Sequence, residues 1–324
     1  MTYAKIISVG SYTPISILTN YDLEKIVETS DEWITERSGI KERRIASKEE
    51  TSSIMGYKAS LKALKRANME PKDIEFIICA TNTPDMPFPA TGCLIASLLN
   101  IKVPCFDLEA GCPGIIYALE MARGLIEAGI YNSILVVSSE TLSRYMDWTD
   151  RTTCVLFGDG ASAFILSRSN EPGIISSYLG GDGSLGDLLK FPSCGSREPA
   201  SIYTLKSKIH GVRMQGREVF RYAVSYMADA CLKVLEKSEL SPDEIDWLIP
   251  HQANIRIIEA TAEKLNVPKD RVYINIHKYG NTSVASIGIA IDELLDAGLL
   301  KRGQNVLIVS FGAGFTWGAM VFKY

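Results

Sequence analysis

The sequence has no C-x-x-C pair among its seven cysteines, at positions 79, 93, 105, 112, 154, 194 and 231, and it has only three histidines. An odd, scattered set gives no closed disulfide framework, and it shows no zinc-ligand spacing with His210, His251 or His277. Reduced thiols, no metal and a cytoplasmic location are therefore expected. Apolar runs are short, since glycine, proline or charge interrupts each within about ten residues, which excludes a membrane span. The opening MTYAKIISVGSYTP carries one lysine and soon meets Gly10 and Pro14, unlike a secretory leader. Positive charge is not in excess either: 38 acids against 34 bases leave a formal charge of −4, so no nucleic-acid binding is expected.

What is there reads as a globular α/β chain. Hydrophobic residues at 46% against 22% charged give 324 residues a substantial core. The runs IEFIICA, NSILVVSS, IDWLIP and NVLIVS are nearly continuous and β-branched, as strands covered on both faces are. The stretch from about Gly180 to His210 is irregular and reads as a surface excursion over the body of the protein, a lid.

The chain also repeats itself. Leu64–Ile78 (LKRANMEPKDIEFII) aligns without gaps to Leu235–Ile249 (LEKSELSPDEIDWLI), 171 residues on, matching Pro71 to Pro242 and Phe76 to Trp247. Ile126–Gly129 and Leu295–Gly298 match at 169 residues, an offset that sets Cys112 on Asn281. Two similar halves, 1–170 and 171–324, are expected. Gly114–Ala128 and Val284–Leu295 are apolar on nearly every side, which marks helices buried inside a layered protein.

Three segments carry candidate chemistry. In EAGCPGIIYAL the strand VPCFDLE gives way to a helix through Cys112, with Pro113 suited to the first helical turn. A cysteine at a helix amino end meets free N–H groups that favour its thiolate, a nucleophile. In IPHQANIRIIEATAEKL a strand ends at His251, and Asn254 can cap a helix whose Ile255, Ile258, Ala262 and Leu265 share a face. In HKYGNTSVASIGIA, Asn281 precedes a buried helix, as a cap or as an amide donor. FGAGFTWG has the glycines of a dinucleotide loop but opens no helix, so that reading fails. Cysteine, histidine and asparagine also occur in papain-like hydrolases, whose surrounding signatures are absent.

These segments, with TSDEWITERSGIKERRIA (Thr29–Ala46), DWTDRTTCVLFGDGASA (Asp147–Ala163), GNTS and the closing FGAGFTWG, resemble the thiolase-like condensing enzymes, specifically the ketoacyl-acyl-carrier-protein synthase III family. The resemblance spans the chain and implies a thiolase-like fold, two duplicated α/β halves in a five-layered αβαβα architecture. It implies that Cys112 takes an acyl group from acyl-coenzyme A. His251 and Asn281 then stabilise the enolate formed as malonyl-acyl carrier protein loses carbon dioxide, and the N–H groups of Cys112 and Ala313 form an oxyanion hole. It also implies that Trp33 and Arg151 sandwich the adenine with Arg37 nearby. Gly216 and Asn254 would line the pantetheine channel, and Phe311 would keep the site apolar. Phe88 would wall the acyl pocket across a homodimer interface, and Arg256 and Arg221 would dock the acidic carrier protein. No cofactor is implied, acyl-coenzyme A being a substrate. The same triad also serves secondary-metabolite ketosynthases and acyltransferases, the alternative reading.

Two departures stand out. Pro113 follows the nucleophile and lacks an N–H, and Ala313 stands where the family commonly has glycine, a change that keeps a backbone donor only if the local dihedrals suit alanine.

Overall fold

The computed structural model describes residues 2–324. Strands β1 (Tyr3–Tyr12), β2 (Phe76–Ala80), β3 (Cys105–Leu108), β4 (Ser133–Glu140) and β5 (Gly160–Ser169) form one sheet in the order β1-β5-β4-β2-β3. In it β2 runs parallel to β3 and β4, while β5 is antiparallel to β4 and β1. Strands β6 (Ile174–Gly181), β7 (Trp247–Pro250), β8 (Asn305–Gly312) and β9 (Thr316–Lys323) form a second sheet, ordered β6-β9-β8-β7. Its one parallel pair is β7 with β8. The second sheet thus repeats the first strand by strand, and an isolated parallel bridge from Leu248 to Val272 occupies the place of β3.

That shared topology accounts for the sequence repeat. Pro71 and Pro242 each open a single 3-10 turn that leads into β2 and β7. The helix before each turn is closed by a left-handed residue, Asn68 at φ 53° and Glu239 at φ 55°.

The helices used here are α1 (Asp31–Ser38), α2 (Ser52–Ala67), α3 (Thr91–Leu98), α4 (Gly114–Glu127), α5 (Gly216–Ser238), α6 (Ile255–Lys264) and α7 (Ser286–Asp296). The two most apolar helices, α4 and α7, lie between the sheets, with charge confined to an edge or end, as in the Glu120–Arg123–Glu127 ion pairs of α4. Their Ile115, Leu119, Ile287 and Leu294 share one core with Ile78 and Val136 of the first sheet and Ile308 and Phe322 of the second. Full burial of each such side chain stabilises the fold by about 1.5–3 kcal/mol. Helices α2 and α3 cover the outer face of the first sheet, with Met55 and Ile95 against Ile77 and Val137. Helices α5 and α6 cover the second, with Val234 and Ile257 against Leu307 and Val309. The result is the five-layered αβαβα thiolase-like architecture. No helix among the described residues is long and apolar enough to cross a membrane.

Local details differ from the sequence reading. Helix α4 begins at Gly114, with Pro113 (φ −71°, ψ −4°) as its N-cap and outside the first turn. The segment expected to be helical from Val284 starts as a 3-10 turn, Ser283–Ala285, and becomes α7 at Ser286. On α6 the buried residues are Ile257, Ile258, Thr261 and Ala262, with Ile255 only half-buried.

Candidate active site

Cys112 sits in the turn between β3 and α4, pressed against the turn that follows β8. Gly111 holds φ +60°, and a Cβ there would lie 2.5 Å from the carbonyl oxygen and 2.8 Å from the nitrogen of Ala313. A Cβ on Gly312 would lie 2.5 Å from the nitrogen of Cys112. Only glycine admits this backbone-to-backbone contact. Thr316 Oγ1 staples the two turns by sharing its one proton between the carbonyls of Ala110 (2.6 Å) and Ala313 (2.9 Å). Ala313 lies outside the left-handed region, so alanine fits here as readily as glycine.

The expected activation of Cys112 by free helix-end N–H groups is corrected by the structure. Pro113 has no N–H, and the Gly114 N–H donates to the Gly111 carbonyl at 3.0 Å. The sulfur is partly open to a cavity but otherwise enclosed by protein. Burial, with the charge of Glu140 in addition, pushes its pKa up to about 12 against a hydrogen bond from Ser283 and its own N–H. The resting Cys112 side chain is therefore a thiol. Its cavity, about 130 Å³, is lined by Cys112, Ser283 and Ala313 on one side and by Leu142, Phe157 and Phe191 on the apolar side. Leu189 and Lys190, from the irregular stretch expected to act as a lid, also line it.

His251 closes β7, and its N–H donates to Val309 of β8 at 2.8 Å. Its Nδ1 lies 2.7 Å from Ser286 Oγ, an oxygen that already accepts the Gln252 N–H at 3.4 Å. With Ser286 as the donor to Nδ1, the ring proton sits on Nε2. Nε2 is buried without a hydrogen-bond partner. Burial lowers the His251 pKa to about 3, so the ring is neutral.

Asn281 follows Gly280 and is held by its backbone between Leu156 and Gly158, through bonds of 2.8 and 3.0 Å. Its Oδ1 accepts the Ser283 N–H at 2.9 Å, which leaves the Nδ2 amide protons as donors. Ser283 Oγ in turn donates to Cys112 Sγ at 3.4 Å. The structure thus joins Cys112 to Asn281 through Ser283, and His251 to the same short segment through Ser286. His251 and Asn281 do not line the cavity that holds Cys112; both are buried, 2% and 7% exposed.

A second cavity, about 660 Å³, brings together Trp33, Arg37, Gly216, Asn254 and Arg256. The Arg151 guanidinium lies over the Trp33 ring, 5.3 Å from its centroid, and donates to the Glu28 carbonyl at 2.9 Å. Asn254 caps α6 by accepting the Arg256 N–H and donates to the Arg37 carbonyl, tying α6 to α1. A Cβ on Gly216 would meet only Met214 Cε at 3.7 Å, so packing does not demand glycine there.

Three expected residues line neither cavity. Phe311 packs on the α5 side of the second sheet, its ring 4.6 Å from that of Phe315 and 6.1 Å from that of Tyr226. Phe88 is 84% exposed and lines neither cavity. Arg221 pairs with Glu218 at 2.6 Å and stacks over Tyr222, away from the second cavity. Sequence reasoning missed Ser283 and Ser286 although both lie in the segment it singled out. It also missed Glu140, a fully buried carboxyl at the end of β4 whose pKa burial lifts to about 7.

The protein-family model described as 3-oxoacyl-[acyl-carrier-protein (ACP)] synthase III matches residues 106–183, and its C-terminal counterpart matches residues 235–324. The chain is 51% identical over 323 residues to the beta-ketoacyl-[acyl-carrier-protein] synthase III of Caldanaerobacter subterraneus, covering 99% of this chain and 98% of that protein. It is 47% identical over 324 residues to the protein of the same name from Clostridioides difficile, covering 100% and 99%. The crystal structure of 3-oxoacyl-[acyl-carrier-protein] synthase III from Aquifex aeolicus superposes with a TM-score of 0.93 at 48% identity, covering 99% of this chain and 100% of that one. This chain belongs to the beta-ketoacyl-[acyl-carrier-protein] synthase III family of acyltransferases.

Proposed function

We propose that this chain condenses an acyl-coenzyme A primer, acetyl or short and branched, with malonyl-acyl carrier protein to begin fatty acid synthesis. Cys112 attacks the primer thioester. Its sulfur bonds to the acyl carbon, the bond to coenzyme A breaks, and the cysteine proton leaves with the coenzyme A sulfur. Malonyl-acyl carrier protein then loses carbon dioxide while His251 Nε2 and Asn281 Nδ2 donate to the enolate oxygen. The carbanion attacks the acyl carbonyl, the N–H groups of Cys112 and Ala313 hold the oxyanion, and collapse releases the ketoacyl product. Neither donor titrates near neutral pH, so neither protonates the carbanion it stabilises.

The observation that carries this reading is His251 Nε2, buried with no hydrogen-bond partner. A buried donor without a partner is costly, and here it is held in place by Ser286 on the segment that also bears Asn281. The second cavity supports the coenzyme A assignment of Trp33, Arg37, Arg151, Gly216 and Asn254. A base between indole and guanidinium needs about 7 Å, two contact distances, so Arg151 swings outward on binding. Arg256, at that cavity's rim, is a better carrier-protein contact than Arg221, whose charge Glu218 offsets.

A homodimer is supported by exposed Phe88 beside Met86, which is 43% exposed, and the partner's Phe88 would wall the acyl pocket. Seven free cysteines support a reducing, cytoplasmic location. No cofactor takes part in the steps proposed, and the halves divide at 170/171, between β5 and β6. The test supplies acetyl, branched and longer acyl-coenzyme A with malonyl-acyl carrier protein and follows product mass. Chain extension by two carbons is expected; hydrolysis of the primer alone would overturn the assignment.

A further inference from the structure

We propose that Ser283 is the hydrogen-bond donor that stabilises the Cys112 thiolate during acylation, its hydroxyl aimed at the sulfur by Asn82 and Glu140. This inference rests on the reading of Cys112 as nucleophile and adds a group to it.

The aim is set by three contacts. Asn82 Nδ2 lies 3.2 Å from Ser283 Oγ and 2.5 Å from Glu140 Oε1. Glu140 Oε1 also accepts the Asn82 backbone N–H, a role it keeps with the carboxyl ionised or with the proton on Oε2, so it fixes the amide with its nitrogen inward, one proton on Glu140 and the other on the serine oxygen. With that oxygen already accepting, the Ser283 proton is left for Cys112 Sγ at 3.4 Å. Glu140 is itself held by Thr83 Oγ1 at 2.6 Å and by the Asn82 backbone N–H at 3.2 Å. The titratable groups that face it are Cys79 of β2, Cys112 and Tyr145, with Asp85 and Arg144 beyond the tyrosine.

The backbone gives an independent argument. Ser283 is 3% exposed and holds φ +49°, a left-handed conformation that suits glycine and strains an L side chain. A hydroxyl kept where glycine would fit without strain is explained by the sulfur it touches. During acylation Ser283 keeps its own proton, and the cysteine proton still leaves with the coenzyme A sulfur. Ser283 supplies what the capped end of α4 does not, since Pro113 and Gly114 offer the sulfur no free N–H.

The test is the pH dependence of Cys112 alkylation by iodoacetamide in the full chain, read by peptide mass. Ser283→Ala and Ser283→Gly should each raise the midpoint by about one pH unit, so that alkylation below it slows about tenfold. Glu140→Gln should lower the midpoint, because it removes the negative charge facing the sulfur and keeps a carbonyl to accept from Asn82. An unchanged midpoint in both Ser283 variants, with Cys112→Ala inactive, would overturn this inference alone. A slowed alanine variant beside an unaffected glycine variant would also overturn it, since backbone strain would then be the cause. Turnover surviving in Cys112→Ala would overturn the nucleophile reading and this one with it.

Discussion

Ser286 Oγ stands 2.7 Å from His251 Nδ1 and is the contact that turns the opposite ring nitrogen into a donor. Removing it leaves the imidazole free to rotate or change tautomer. Ser286→Ala should therefore lower condensation by roughly ten- to hundredfold, the cost of about 1–3 kcal/mol for a misdirected buried donor, and should spare transfer of the primer to Cys112. Single-turnover assays of the two half-reactions check this.

His251 also leaves a mark on stability. Its pKa falls from 6.5 to about 3 on burial, so between those values the unfolded chain binds a proton that the folded chain refuses. Stability is then fully present above about 6.5 and declines as pH falls toward 3, by about 1.4 kcal/mol per pH unit from this group. Urea unfolding of the parent and of His251→Asn at several pH values should show that extra slope only in the parent.

The contact between the two turns makes Gly312 sensitive. An added methyl would lie 2.5 Å from the Cys112 nitrogen and 2.9 Å from its Cβ, atoms that cannot yield independently. Gly312→Ala should depress acylation and condensation together, with far-ultraviolet circular dichroism unchanged.

At the second cavity, Trp33→Ala removes the ring under Arg151. A stacking contact of about 0.5–2 kcal/mol predicts a KM for acyl-coenzyme A raised from about twofold to thirtyfold, with the KM for malonyl-acyl carrier protein unmoved. Steady-state kinetics with each substrate varied in turn checks it.

Much of the layering was legible in the chain. Runs such as FIICA are apolar at every position because helices cover both faces of β2, and α4 and α7 are apolar over most of their surface because sheets flank both. The same property hid which way Phe311 points. In a strand buried on both sides alternation is silent, and only the packing of Leu307 and Val309 against α5 and α6 places it. Ile257, absent from the face assigned to α6, is buried in one core with Leu307 and Val309 of the second sheet. The thiol state of Cys112 was illegible for a related reason: enclosure and the nearness of Glu140 arise from segments far apart in the chain. Serines 283 and 286 were in view, yet a hydroxyl declares its role only through the atoms that approach it.

In the proposed division of labour, Cys112 receives the acyl group and Asn281 serves only the later decarboxylation. The direct measurement is intact mass of the Asn281→Ala variant after acyl-coenzyme A alone, followed by product formation once malonyl-acyl carrier protein is added. A full acyl adduct on Cys112 is expected, with condensation reduced about a hundredfold or more, as loss of one oxyanion donor costs. Equal loss of both steps, or condensation at the parent rate, would contradict it.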